Sequence, residues 1–289
     1  MTEDRYLIVN ADDFGVSNET NTAIKELYSA RKITSVSLLA VANFAREAVQ
    51  IAKELLMPVG CHWAFNSDYE NEPWSPLSDS LSSIVDKSNN LASLSYFARH
   101  AKAREVLVEC RAQYEFIINN GLRVDHLDSH CGSLYGINGR RFYNIAFDLA
   151  SEFDLPFRFP KNPAFIKRLI KSRVLYNLIK LPFFVVLKSA EKKGVKLISD
   201  MIANSKKATD IGSYIDFQNY YLNMIRDIKP GITEFFLHPS YYSKDKSKEW
   251  NKIRTFDLEF LNSEAFNNLI KNEGIKLVSY DITKTINLN

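Results

Sequence analysis

Residues 6–41, YLIVNADDFGVSNETNTAIKELYSARKITSVSLLAV, hold the reading of the fold. The stretch starts with an apolar run of strand type, 6–10, ended by an acidic turn with a glycine, 11–15 (ADDFG). Ser17 or Asn18 then offers a helix N-cap, and 20–31 sets Ala23, Ile24, Leu27 and Tyr28 at helical spacing. A β-rich run follows at 34–41 (TSVSLLAV). Next comes a second helical stripe over 44–56, with Ala45, Ala48, Val49 and Ala52, and then a third strand-like run at 58–65 (PVGCHWAF). Strand, helix, strand, helix and strand in this order predict a parallel sheet built from βα units.

The pattern returns downstream. A helix is read over 101–120, ended by Gly121 in the usual C-terminal place, then a strand at 122–130, a helix at 140–153 and a strand at 156–159. Near the end come a strand at 233–238 (TEFFLH), a helix at 263–272 and a strand at 275–280. No Pro/Gly/Ser linker interrupts the series, so the expectation is one α/β domain over 1–289. Its architecture is a distorted (βα) TIM-like barrel of about seven strands. Two stretches fit the repeat poorly and are expected as insertions: a polar loop at 66–94 with Pro73, Trp74 and Pro76, and a helical, basic segment at 161–205 with Lys167, Arg168, Lys171 and Arg173. A basic helix can lie on a membrane, but the plainer reading is a solvated face covering the core.

Composition bounds the partners. Hydrophobic residues at 46% and charged residues at 25% describe a globular chain with a full core. The balance of 37 Lys+Arg against 34 Asp+Glu lacks the clustered excess of a nucleic-acid binder. The longest apolar run, 181–187, falls far short of the ~20 residues that cross a bilayer, so no integral membrane segment is expected. The N-terminal residues lack the basic start and cleavage site of a secretory signal, so the expected location is cytoplasmic. Cys61, Cys110 and Cys131 are odd in number and contain no CxxC pair, which signals neither a disulfide framework nor a zinc ribbon.

In α/β barrels the loops after the strands form the active-site face. Asp12–Asp13, His62, His130 and His238 all fall at or near strand C-termini. Two adjacent aspartates after an apolar strand are costly unless their charge is compensated, and a divalent cation does this. One carboxylate and two imidazoles, with positions left open, make a catalytic metal shell, and the second carboxylate stays free to act as a base. His126, Asp128 and His130 alternate and so share a face, which lets one ligate while another orients it. His130, at the strand end, is the better ligand, and His126 reads equally well as a core residue. By the same alternation Cys61 and Cys131 point away from their histidine neighbours. His238 is a third ligand or, by preference, a general acid. Among loop aromatics, Trp63, Trp74, Tyr135, Tyr241 and Trp250 are candidates to stack on sugar rings.

These motifs resemble the YdjC-like carbohydrate deacetylases, the ChbG/HpnK type, related to the polysaccharide deacetylases. The matching segments are NADDFGVS at 10–17, TSVSLLA at 34–40, GCH at 60–62, HLDSH at 126–130, PGITEFFLHPS at 230–240 and GIKLVSYDI at 274–282. The resemblance implies a distorted barrel and one divalent metal, zinc or magnesium, held by Asp13, His62 and His130. It implies Asp12 as the base, His238 as the acid and Arg158 near the substrate. The chain departs from many members after DSH, where Gly132 and Leu134 stand in place of further alternating histidines.

The activity so implied is hydrolysis of the acetyl group of an N-acetylated amino sugar or oligosaccharide. A homodimer is compatible with it. The competing readings are a metal-dependent phosphoesterase, separated by the number of bound metals, and a catalytically altered barrel that binds sugar without releasing acetate.

Overall fold

The computed structural model describes residues 4–67, 73–136, 139–170 and 172–286. Its strands are β1 (Arg5–Phe14), β2 (Ser35–Leu38), β3 (Val59–Trp63), β4 (Val124–Ser129), β5 (Phe157–Pro160), β6 (Leu197–Ile198), β7 (Asp200–Ile202), β8 (Gly231–Leu237) and β9 (Lys276–Leu277). They form one sheet in the order β6-β5-β4-β3-β2-β1-β8-β7, with β9 paired to β1. Every pairing between these strands is parallel.

Sheet ends β6 and β7 are consecutive in the chain, separated by Ser199 alone. The Ser199 carbonyl accepts from Asn162 N at 3.0 Å on the β5 side, while its N–H donates to Ile232 O at 2.8 Å on the β8 side. The sheet thereby closes into a barrel. Counting β6 and β7 as one strand and setting the two-residue β9 aside, seven strands form the ring; the total agrees with the sequence pattern, but 197–202 takes the place that the pattern gives to 275–280. The basic insertion is shorter than read from sequence: it ends before Leu197, because the last part of 161–205 supplies the closing strand. Its helices are Ala164–Leu169 and Arg173–Lys192, and Lys171 lies outside the described residues.

Strand alternation sorts the residues into two layers. Leu7, Val9, Ala11, Val36, Leu38, Val59, Cys61, Trp63, Leu127 and Phe157 belong to the main apolar core, which joins the strands to the surrounding helices. On the inward face, Ile8, Ile198, Met201, Ile232 and Tyr280 form a separate apolar plug. One step further along β1 and β8 the inward residues become Asn10, Asp12 and Glu234, all buried. The barrel interior is therefore apolar near the strand N-termini and polar near their C-termini.

The 66–94 stretch is a loop as expected, among its described residues, with an isolated bridge between Val85 and Leu91. It is clamped to the helix Ala103–Asn119 by two glutamates one turn apart. Glu109 accepts from Leu77 N at 3.1 Å and Ser78 N at 2.9 Å. Glu105 accepts from Ser82 N and Ser83 N at 2.9 and 2.7 Å; burial opposes its charge, but these donors with the two serine hydroxyls outweigh burial and hold its carboxyl down at about 2.

Candidate metal centre

Strand β1 does not stop at Asn10, as the acidic turn implies from sequence, but runs on through Phe14. Its pairing with β2 shifts register between Ala11 and Phe14, and Asp13 sits there at φ 65°. The extra residue is a β-bulge. In a regular strand Asp12 and Asp13 would face opposite sides of the sheet. The bulge brings both carboxylates to the barrel mouth, where they are 2% and 1% exposed.

The structure joins Asp13 to the two predicted histidines. His62 Nε2 lies 3.5 Å from Asp13 Oδ1, His130 Nδ1 lies 3.3 Å from the same oxygen, and the two ring nitrogens are 3.3 Å apart. With bonds of about 2.0–2.2 Å, the edge of a tetrahedral metal shell measures about 3.4 Å. These distances match such an edge. Asp13 Oδ1 is buried without a hydrogen-bond donor, whereas Oδ2 is taken by the Arg254 guanidinium. The orphaned oxygen and two imidazole nitrogens fit a divalent cation.

Each ligand atom is oriented from behind. A carboxylate can only accept, so His62 Nδ1–H donates to Asp128 Oδ1 at 2.7 Å, which turns Nε2 toward Asp13. Burial pushes His62 down, but the carboxylates of Asp128 and Asp12, the hydrogen bond to Asp128 and the nearby Asp13 carboxylate override it and raise it to about 10. That field favours positive charge at Nε2. Asp13 is likewise held well below the usual carboxylate range. Burial opposes its charge, and Arg254 with the two histidines outweighs burial. On the far side of His130, Cys131 Sγ lies 3.3 Å from Nε2. This corrects the expectation from alternation, because β4 ends at Ser129 and Cys131 and Gly132 adopt φ 52° and 63°.

Arg158 lies inward on β5, buried beneath the mouth. Its Nη1 and Nη2 donate to Asp12 Oδ2 and Oδ1 at 2.9 and 2.8 Å, its Nε donates to Glu234 at 2.9 Å, and Nη2 is 2.8 Å from Asp128. The resemblance implies Arg158 near the substrate. In the structure it stands behind Asp12, where three buried carboxylates offset its charge. Asn10 Nδ2 adds a hydrogen bond to Asp12 Oδ1 at 2.7 Å and another to Ser37 Oγ at 2.9 Å. A second potential ligand group, Asp12, His62 and Asp128, shares this corner. There the guanidinium of Arg158 already supplies the positive charge.

His238 lies beside Asp12 at the end of β8. Its Nε2 is 3.8 Å from Asp12 Oδ2, its side chain is 35% exposed, and burial with the nearby Arg254 lowers its pKa. Its backbone N–H donates to Asp257 Oδ2 at 2.9 Å, and Tyr221 hydroxyl donates to Asp257 Oδ1 at 2.9 Å. Burial raises Asp257 to about 7 against those hydrogen bonds.

The aromatics divide. Trp63 faces outward, fully buried, with Nε1 donating to Cys110 O at 2.9 Å, so it is removed from the mouth. Trp74 is carried by the 66–94 loop onto His130, ring centroids 5.6 Å apart. Tyr135 is half-buried, and its hydroxyl donates to the Arg158 carbonyl at 2.7 Å. Together with Phe159, Phe165, Leu169, Phe183 and Met201 it lines an apolar cavity of about 400 Å³ under the basic insertion. Tyr241 hydroxyl bonds Glu26, and Trp250 lies beneath the Arg254 guanidinium, 4.4 Å from its ring. His126 is the buried core histidine of the plainer reading: it stacks on Tyr280 with centroids 3.9 Å apart and bonds Asp125 at 2.6 Å. Arg254 and Asp257, both on the helix Lys248–Asn262, were not legible as site residues, because no motif surrounds them.

Comparisons with known proteins place the chain in a family. Residues 6–272 match the model of the YdjC-like protein family. A carbohydrate deacetylase of Thermoanaerobacter pseudethanolicus is 23% identical over 291 residues, covering 97% of this chain and 100% of the relative. A carbohydrate deacetylase of Clostridium beijerinckii is 29% identical over 153 residues, covering 53% of this chain and 59% of the relative. Among solved structures, an Enterococcus faecalis protein described as a cellobiose-phosphate cleavage protein superposes with TM-score 0.76 at 23% identity, over 96% of this chain and 98% of that one. That likeness concerns the fold.

Proposed function

Because the chain belongs to the YdjC-like family, we propose that it is a carbohydrate deacetylase, a hydrolase that removes the acetyl group of an N-acetylated sugar with one divalent cation. The observation that carries the reading is the triangle of Asp13 Oδ1, His62 Nε2 and His130 Nδ1, at 3.3 to 3.5 Å, around an oxygen without a donor. Zinc or magnesium held by these three residues supplies Lewis-acid polarisation of an acetyl carbonyl and of the attacking water.

This chain's own residues do the rest. Asp12 takes the proton of the attacking water. Its two oxygens are fixed by the Arg158 fork; Oδ1 also accepts from Asn10, so Oδ2 is the oxygen that takes that proton. His238, on the same side as Asp12 Oδ2, gives a proton to the departing amine. Asp128 keeps His62 in the tautomer that presents Nε2. Arg158 acts through Asp12 as a positioning residue, and Trp74 walls His130 from solvent. A phosphoesterase with several metals finds less support, since the second ligand group among the described residues is already neutralised by Arg158.

The test is acetate release from acetylated mono- and disaccharides, with and without chelator. Wild type is expected to release acetate only without chelator. Asp12→Asn should retain metal and lose about 10²–10⁴-fold in rate, the usual contribution of a general base. Asp13→Ala should lose both metal and activity. Full activity in Asp12→Asn would remove Asp12 as the base.

A further inference from the structure

The helix Arg173–Lys192 is apolar on two sides. Ile179, Pro182, Phe183 and Val186 face the barrel and line the cavity beneath it. Val174, Leu178, Leu181 and Val185 are 71%, 68%, 74% and 52% exposed. Their spacing of four, three and four residues is that of a single helical stripe. This stripe faces outward with no apolar cover among the described residues. Continued at the same spacing, it reaches Lys188 and Lys192, both exposed.

Charge is as one-sided as hydrophobicity. From Leu155 to Ala190 the sequence contains no Asp or Glu, while cations recur, among them Lys167, Arg173, Lys180 and Lys188. In a chain with 37 basic and 34 acidic residues, such a span is a local departure. A protein partner of ordinary composition requires no such exclusion of acids. A surface that is itself anionic and apolar just beneath does, and apolar residues flanked by lysines are the pattern of helices that lie in a membrane interface. No helix among the described residues is long and apolar enough to cross a membrane, so the contact would be peripheral.

We propose that the helix Arg173–Lys192 docks this protein on an anionic lipid surface, with the 174/178/181/185 stripe entering the interface and Lys188 and Lys192 on the headgroups. The docking does not depend on the deacetylase reading. The helix sits on the mouth side of the barrel, since the cavity it covers is also lined by Tyr135 and by Pro160 at the end of β5, so the lipid surface would lie beside the catalytic opening.

The test is co-sedimentation of the full chain with vesicles of phosphatidylcholine alone and of phosphatidylcholine with phosphatidylglycerol, at low and high salt. Wild type is expected to sediment with the anionic vesicles only, less at high salt. The double variant Leu178→Glu/Leu181→Glu, whose solvent-exposed sites leave the thermal midpoint unchanged, should lose binding tenfold or more. Lys188→Glu and Lys192→Glu should each weaken it by roughly fivefold at low salt. Absence of wild-type binding to either vesicle overturns the proposal. So does binding that the double variant leaves intact. A dimer in sedimentation equilibrium that the double variant dissociates, without vesicle binding, also overturns it and assigns the stripe to a second copy of the chain.

Discussion

Asp13 holds a backbone angle, φ 65°, that costs a non-glycine residue about 1–3 kcal/mol. That strain accompanies the turning of a second carboxylate inward, and the result is a site in which Asp12 pairs with Arg158 while Asp13 faces the two histidines. Sequence could name both residues, because two acids after an apolar strand demand compensation. It could not show the bulge, which depends on the pairing with β2. His62 and His130 were legible from their strand-end positions, while Arg254 was not, since a lone arginine on a helix carries no local signal. The GCH segment shows another constraint at this scale. A Cβ on Gly60 would stand 2.2 Å from the His126 ring, inside any permitted contact. Gly60→Ala should therefore destabilise the fold by about 1–3 kcal/mol through overpacking. Thermal melts check this, and an unchanged midpoint would show that the His126 ring moves aside freely.

Among the elements, the clamp of the 66–94 loop is pH-sensitive. Glu105 is held down at about 2 in the folded chain against an ordinary 4.5, so its contribution is present above about 4.5 and is lost as pH falls toward 2. Glu105→Gln should thus melt below wild type near neutral pH, and the gap should close as the pH approaches 2. A gap that stayed constant with pH would mean that the carboxylate charge does not hold the loop. Elements with strong apolar runs, β1, β3 and β8, were legible from sequence, and β4 by its period-two alternation. The helices Tyr214–Arg226 and Lys248–Asn262 were not, because aromatic, asparagine and β-branched residues in them have weak helix propensity. The available signal was the capping box of Ser213 and Asp216. The short closing strand was hidden because β6 and β7 pair with different neighbours on either side of Ser199.

For the molecule as a whole, closure at Ser199 is what sets β5 and β8 at a distance that lets Arg158 reach Glu234 and Asp12 together. Ser199→Pro removes the N–H that donates to Ile232 O and leaves that carbonyl unpaired. The expected loss is about 1–3 kcal/mol in chemical denaturation. A midpoint equal to wild type would show that the ring closes without this bond. The interior gradient, apolar below and polar above, follows from a two-residue period that sequence displays in each strand. Which polar groups meet across the barrel follows only from closure.

The account rests on a cation between residues that lie far apart in the chain, and crystals grown with zinc test it most directly through anomalous difference density. The account predicts one peak per chain, within bonding distance of Asp13 Oδ1, His62 Nε2 and His130 Nδ1, with Arg158 still paired to Asp12. A peak between Asp12, His62 and Asp128 with Arg158 displaced, or no peak at the barrel mouth, would contradict it.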